Sequence, residues 1–152
     1  MNDPDNLASM DIRHLIAQNK ASNKKVRESI KDFNNYNELV KQWNAYTDGP
    51  QGKEMRRSRH DWNCPVCNQT MNYYTHPDED CHPTLDHKHA KVLAKHLVFD
   101  QDNLWVICRK CNQEKSGYSW SAYEYFIEYK YGKDSHRYRS VIANRLRKKL
   151  TQ

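Results

Sequence analysis

Between residues 22 and 46 the apolar positions Val26, Ile30, Phe33, Tyr36, Val40 and Trp43 follow one another at intervals of 4, 3, 3, 4 and 3. That spacing holds them on one side of an α-helix. A shorter helix is expected over 5–19, and "TDGPQG" at 47–52 carries the Gly and Pro signals that end a helix. The stripe predicts packing against the rest of the chain, with the pairing of two chains as the alternative. Farther along, "LWVIC" (104–108) is an apolar run of strand length. "LDHKH" (85–89) reads as a strand that sends Asp86, Lys88 and Ala90 one way and His87 and His89 the other. "CRKCNQEKSG" (108–117) lacks apolar strand character and is expected to start a helix. "YSWSAYEYFIEYKYG" (118–132) predicts an aromatic helix ending at Gly132, and the tail predicts a last helix with Tyr138, Val141, Ile142 and Leu146 inward.

These elements predict an α+β protein with a helical region at 1–52, a cysteine- and histidine-rich core at 53–118 and helices over 119–152. A chain of 152 residues suits one compact unit or a core with helical extensions. Only 37% of residues are hydrophobic and 29% are charged, so the ten Tyr, four Trp and three Phe are expected to form much of the core. Four Gly and five Pro argue against a low-complexity chain. No apolar run reaches the length of a membrane span, and the first residues lack the basic and apolar regions of a signal peptide. A cytoplasmic protein with no membrane partner is expected.

Five cysteines occur, and four of them make two Cys-x-x-Cys pairs, Cys64 with Cys67 and Cys108 with Cys111. Two intervening residues let one tight turn offer two sulfurs to one ion. Four thiolates close a tetrahedral structural zinc site, which leaves no open position for water. A redox role fits poorly, since there are two such pairs without a thioredoxin-like pattern around either. Zinc-dependent deamination fits poorly too, because it needs an open zinc and a His/Cys-x-Glu element that is absent. Cys81 is left as an ordinary thiol. With zinc assigned to the cysteines, the histidines between the pairs are free for other work. Asp86 can offer a carboxylate oxygen and Asn112 an amide oxygen to a hard cation such as Mg²⁺. A neutral imidazole at His87 can take a proton from water attacking a phosphorus atom.

"DH" at 86–87, "DNL" at 102–104 and "C-x-x-C-N-x-x-K" at 108–115, framed by two Cys-x-x-Cys knuckles, resemble the HNH nucleases. Within that family they look like the phage junction-resolving and recombination endonucleases. The resemblance covers roughly residues 61–117 and implies a ββα-metal core stapled by a four-cysteine zinc. It also implies metal-dependent hydrolysis of DNA phosphodiester bonds, in phage-type recombination or junction processing, inside a bacterial or phage-infected cell. By the same resemblance His87 is the general base, Asn103 orients it, and Asp86 and Asn112 hold a catalytic Mg²⁺ or Mn²⁺. Many family members carry His where this chain has Asn112, and an amide there favours a hard metal. His89 either helps position the phosphate or is a polar strand residue. His82 and His96 are expected at the surface.

The formal net charge of +6 favours an anionic partner, with nucleic acid the first candidate, and the resemblance makes that DNA. Arg56, Arg57 and Arg59 before the first knuckle, Lys115, and Arg145, Arg147 and Lys148 in the tail are the expected phosphate contacts. For Lys115 the simpler account is a solvated helix lysine. The alternative to the nuclease is a zinc-stapled nucleic-acid-binding protein whose histidines do no chemistry. A homodimer through the 26–43 stripe would give a junction enzyme its two active sites.

Overall fold

The computed structural model of the chain describes residues 12–146. It divides into two compact units, Met1–Val40 and Lys41–Gln152. Helix α1, Ile12–Asp48, runs through what the sequence pattern split into two helices at about residue 20. In the first unit the expected inward packing of the stripe is not found: Val26, Ile30 and Phe33 are all more than half exposed. In the second unit Trp43, the last member of the stripe, is buried.

The second unit begins with the end of α1 and a sharp restart. Gly49 interrupts the helix for one residue, and Pro50 opens α2 (Pro50–Arg57) at the position where its missing N–H costs nothing. A Cβ on Gly52 would lie 2.5 Å from the Thr47 carbonyl oxygen, so only glycine lets α2 fold back this closely on α1. Arg56 secures the corner by donating to the carbonyls of Thr47 (3.0 Å) and Gly52 (3.4 Å).

Strand β1 (Pro83–His87) pairs antiparallel with β2 (Leu104–Cys108), in a register that sets Asp86 opposite Trp105 and His87 opposite Leu104. The chain then passes directly into α3 (Arg109–Lys115), which packs on both strands. The segment between the strands folds into two short 3-10 turns, Lys95–Leu97 and Gln101–Asn103. Helix α4 (Trp120–Tyr131) starts at a Ser119 cap and ends at Gly132, whose φ of 87° is readily adopted only by glycine. Helix α5 (His136–Ala143) starts at a Ser135 cap and packs on α4. The aromatic core expected from composition is present only in part: Trp43, Trp105, Trp120 and Tyr123 are buried beside Val98, Ile107, Ile127 and Val141, whereas among the described residues Tyr123 is the one buried Tyr and no Phe is buried. The architecture is α+β, with five helices and one small sheet among the described residues. None of their helices is long and apolar enough to cross a membrane.

Candidate metal centre and the strand end beside it

The first knuckle is a small hairpin. Asn63 and Thr70 form an isolated antiparallel bridge, Cys64 N–H donates to Gln69 O at 2.7 Å, and Asn68 sits at a φ of 64°, a conformation Asn tolerates better than most residues. The second knuckle spans the end of β2 and the first turn of α3. All four sulfurs lie within 4.8 Å of one another, with Cys67 and Cys108 3.7 Å apart. A tetrahedron of sulfurs about 2.3 Å from zinc has edges of about 3.8 Å, so the cluster matches that ion. Cys64, Cys108 and Cys111 are buried and Cys67 half-buried, as in a closed site. The Cys108 backbone N–H points to Cys64 Sγ at 3.4 Å, which supports thiolate character there.

Without a cation the four thiols cannot ionise together. Hydrogen bonds from Cys108 and Cys111 pull Cys67 down to about 6, and Cys64 is lowered by Cys108, Cys111 and Cys67. Cys111 is driven up, first by Cys108 and then by Cys64 and Cys67. A divalent ion would remove that conflict by stabilising all four thiolates at once.

Strand β1 ends on the Asp86–His87 pair. Asp86 faces α3: its Oδ2 accepts the Trp105 indole N–H at 2.8 Å and lies 3.1 Å from Lys115 Nζ. Lys115 also donates to the His87 carbonyl at 2.6 Å and is fully buried. The expectation of Lys115 as a phosphate contact or a solvated lysine is therefore corrected, because its ammonium is used inside the fold. Burial pushes the Asp86 carboxyl upward, against the pull of Lys115 and of the Trp105 N–H. One turn earlier on α3, the Asn112 amide donates to Thr84 Oγ1 at 3.0 Å, two residues before Asp86 on the same face of β1.

The His87 ring turns the other way and is buried. Its Nε2 lies 3.0 Å from the Val98 carbonyl, and Trp43 lies against it with ring centroids 4.1 Å apart. A carbonyl can only accept, so a neutral ring carries its proton on Nε2 and keeps Nδ1 as the basic atom. Burial lowers His87 to about 4, with the charges of Lys91 and Lys115 acting in the same direction.

Asn103 does not bond to the His87 ring. Its amide oxygen accepts His89 N–H at 2.8 Å, and its amide N–H donates to the carbonyls of His89 (3.2 Å) and Leu97 (3.1 Å). It is completely buried and clamps the segment between the strands, so its connection to His87 runs through Leu97 and the neighbouring Val98 carbonyl. His89 lies beyond the strand end, buried, with its ring shifted downward chiefly by desolvation. His82, expected at the surface, is buried against Tyr73, while His96 is exposed as expected.

The basic candidates are dispersed. Arg56 is committed to backbone carbonyls, Arg57 pairs with Glu54, and Arg145 makes a two-pronged pair with Glu124 at 2.7 and 2.8 Å. Arg59 stacks over Trp62 at 4.3 Å from the ring centroid. Arg147 and Lys148 lie outside the described residues. Sequence reasoning missed Trp43 as the cover of His87, Trp105 as a donor to Asp86 and Val98 as the partner of the imidazole. The Trp43 signal was present, since it ends the helical stripe, but a stripe does not name its partner. Comparisons with protein-family models, curated proteins and solved structures find no match to this chain.

Proposed function

We propose that the chain is a metal-dependent endonuclease of the HNH type, hydrolysing DNA phosphodiester bonds with His87 as general base. The observation that supports this best is the pairing at the end of β1. A neutral imidazole of fixed tautomer sits next in sequence to a buried carboxylate, and the two face opposite sides of one strand. That separates a proton acceptor from an acidic ligand without letting either neutralise the other.

The residues present suit a hard divalent cation such as Mg²⁺ or Mn²⁺ on two counts. A carboxylate has about four acceptor sites, and Asp86 gives Oδ2 to Trp105 and Lys115, so acceptor capacity remains for a cation. Asn112 spends its N–H on Thr84, which leaves its amide oxygen as an acceptor. Such an ion, when bound, stabilises charge developing on the phosphate. The Val98 carbonyl fixes His87 so that Nδ1 receives the proton of the attacking water. Burial keeps the ring unprotonated at neutral pH, the form a base requires. Asn103 supports this by holding the Leu97–Val98 turn, and His89 is a backbone anchor of the same segment. The structural zinc fixes α3, and through it Lys115 and Asn112, against β1.

The cover of Trp43 over His87 favours a second reading, a zinc-stapled nucleic-acid-binding protein in which His87 is packing. Incubation with supercoiled plasmid and with a branched DNA, across Mg²⁺, Mn²⁺ and Ni²⁺, separates the two. The nuclease reading expects cleavage of at least one substrate by the wild type, and loss of at least about a hundredfold in His87→Ala, matching the usual worth of a general base. Equal inactivity of both proteins on both DNAs, with DNA binding retained, establishes the second reading.

A further inference from the structure

Beside β2, at Leu104, Trp105 and Val106, lies a cleft of about 250 Å³. Its walls include the indoles of Trp62 and Trp105. Arg59, Asn63 and Asn144 line it as polar groups, and Met71 and Val106 contribute apolar surface. The volume is below the roughly 300–1,000 Å³ of pockets for drug-sized ligands, so it suits one flat ring system.

Three features point to what enters. Trp62 is 57% exposed, while Met71, Leu104, Trp105 and Val106 of the cleft are buried and Pro65 is half-buried, so an open indole stands over an apolar floor. Arg59 stacks over Trp62 and, among the described residues, has no carboxylate partner, which leaves a cation at the mouth and holds the indole plane in place. Asn144 spends its amide N–H on the Ser140 carbonyl at 2.9 Å, and this keeps its amide oxygen available to a ligand donor. Ser140 in turn bonds to the Pro65 carbonyl, tying the end of α5 to the first knuckle so that Asn144 and Trp62 face one space. Aromatic wall, apolar floor, amide edge and unpaired guanidinium together match a nucleobase followed by its phosphate.

We propose that this cleft takes one unstacked nucleobase of a nucleic-acid strand. The proposal adds a base-binding cleft to the endonuclease reading and rests on that reading only for cleavage. The link between cleft and strand end is Trp105. Trp105 lines the cleft, and its N–H donates to Asp86. A base seated there places its strand beside the candidate carboxylate. Pairing hides the faces and edges of a base, so a blunt duplex offers the cleft nothing but backbone.

Fluorescence anisotropy of the zinc-loaded chain, without added Mg²⁺ or Mn²⁺, tests the cleft apart from chemistry. The probes are single-stranded DNA twelve-mers, the same sequence as RNA, a duplex with one bulged base and a blunt duplex. Single-stranded and bulged probes should bind more tightly than the blunt duplex and quench tryptophan emission. Trp62→Ala should weaken them about tenfold or more, as loss of a base–aromatic stack does, while changing blunt-duplex binding by less than about twofold. Trp62→Phe should restore most of the loss. Equal effects of Trp62→Ala on every probe, or none on any, overturn the proposal. So does competition by mononucleotides as effective as by the twelve-mer. A preference for RNA keeps the cleft and counts against DNA as the substrate of the strand-end site. If Trp62→Ala loses binding but the wild type cleaves no DNA, the cleft stands and the endonuclease falls. If Trp62→Ala cleaves and binds branched DNA normally, the cleft falls alone.

Discussion

Lys115→Met tests the strand end most directly. The Lys115 ammonium is fully buried, 2.6 Å from the His87 carbonyl and 3.1 Å from Asp86 Oδ2, and Asp86 is only 8% exposed. Methionine fills nearly the same volume, so the change removes charge and hydrogen bonds with little loss of packing. It leaves a buried carboxylate whose named side-chain donor is the Trp105 N–H. Breaking one partner of a buried pair costs roughly 3–5 kcal/mol. For a chain of this size that is a fall in melting temperature of about 6–20 °C. Removing both charges, in Asp86→Asn with Lys115→Met, should return most of the loss, because no lone charge is left inside. The metal reading adds a second expectation. If Asp86 binds a divalent cation, deleting the competing ammonium strengthens that site. Mg²⁺ or Mn²⁺ at 100 times its dissociation constant should then restore about 2.7 kcal/mol to Lys115→Met. The wild type should gain less, and the double variant almost nothing. Thermal unfolding at saturating zinc, with and without each cation, measures all of these. Equal cation shifts in the single and double variants would refute Asp86 as a metal ligand. A loss below about 1 kcal/mol in Lys115→Met would refute the buried pair itself.

Two further outcomes follow from the same geometry. The isolated chain should carry one zinc by elemental analysis. A strong chelator, or Cys111→Ser, should abolish cooperative unfolding of the second unit, since structural zinc binding is itself folding free energy on the order of 10 kcal/mol; a chelated chain with an unchanged melting curve would contradict this. The His87 ring gives a pH signature. Its folded value of about 4 lies below the ordinary 6.5, so its contribution is fully present above pH 6.5 and lost as pH falls through about 4. The loss should approach roughly 3 kcal/mol across that window. The difference in stability between wild type and His87→Leu at each pH isolates it from acid release of zinc, and a difference that does not change with pH would show that His87 is not buried neutral.

The four-cysteine cluster was legible because ligand spacing is a local property: two residues between cysteines set two sulfurs on one turn wherever the turn goes. The strands and α3 were legible for similar reasons, from a short apolar run and from a polar segment following it. What pairs with Asp86, His87 and Asn103 was not legible, because every partner is far away in sequence or is backbone. Val98 contributes a carbonyl, which carries no sequence signature. Trp43 reaches His87 from a helix some forty residues earlier. Lys115 looked like a solvated lysine because composition and charge cannot reveal that the helix carrying it turns this face to a carboxylate. The stripe on α1 failed differently. Its period correctly gave a helix, but period says nothing about whether the apolar side is covered, and Val26, Ile30 and Phe33 are exposed. The division of the first fifty residues at about residue 20 had no strong breaker behind it, and the helix ran on.

The cysteine cluster and the strand end are linked by the pitch of one helix. Cys111 and Lys115 stand four residues apart on α3, as do Cys108 and Asn112 across its start. Residues at that spacing lie on one side of a helix, about 6 Å apart along its axis. Fixing Cys108 and Cys111 in a sulfur tetrahedron therefore sets where Asn112 meets Thr84 and where Lys115 meets Asp86. A seven-residue helix is too short to hold its own register, because isolated helices of this length are marginal in water. The staple supplies that register from outside. An ion held by the four cysteines would thus set the geometry of a strand end it does not touch, and this is why the cysteines and the Asp86–His87 pair are read as one unit.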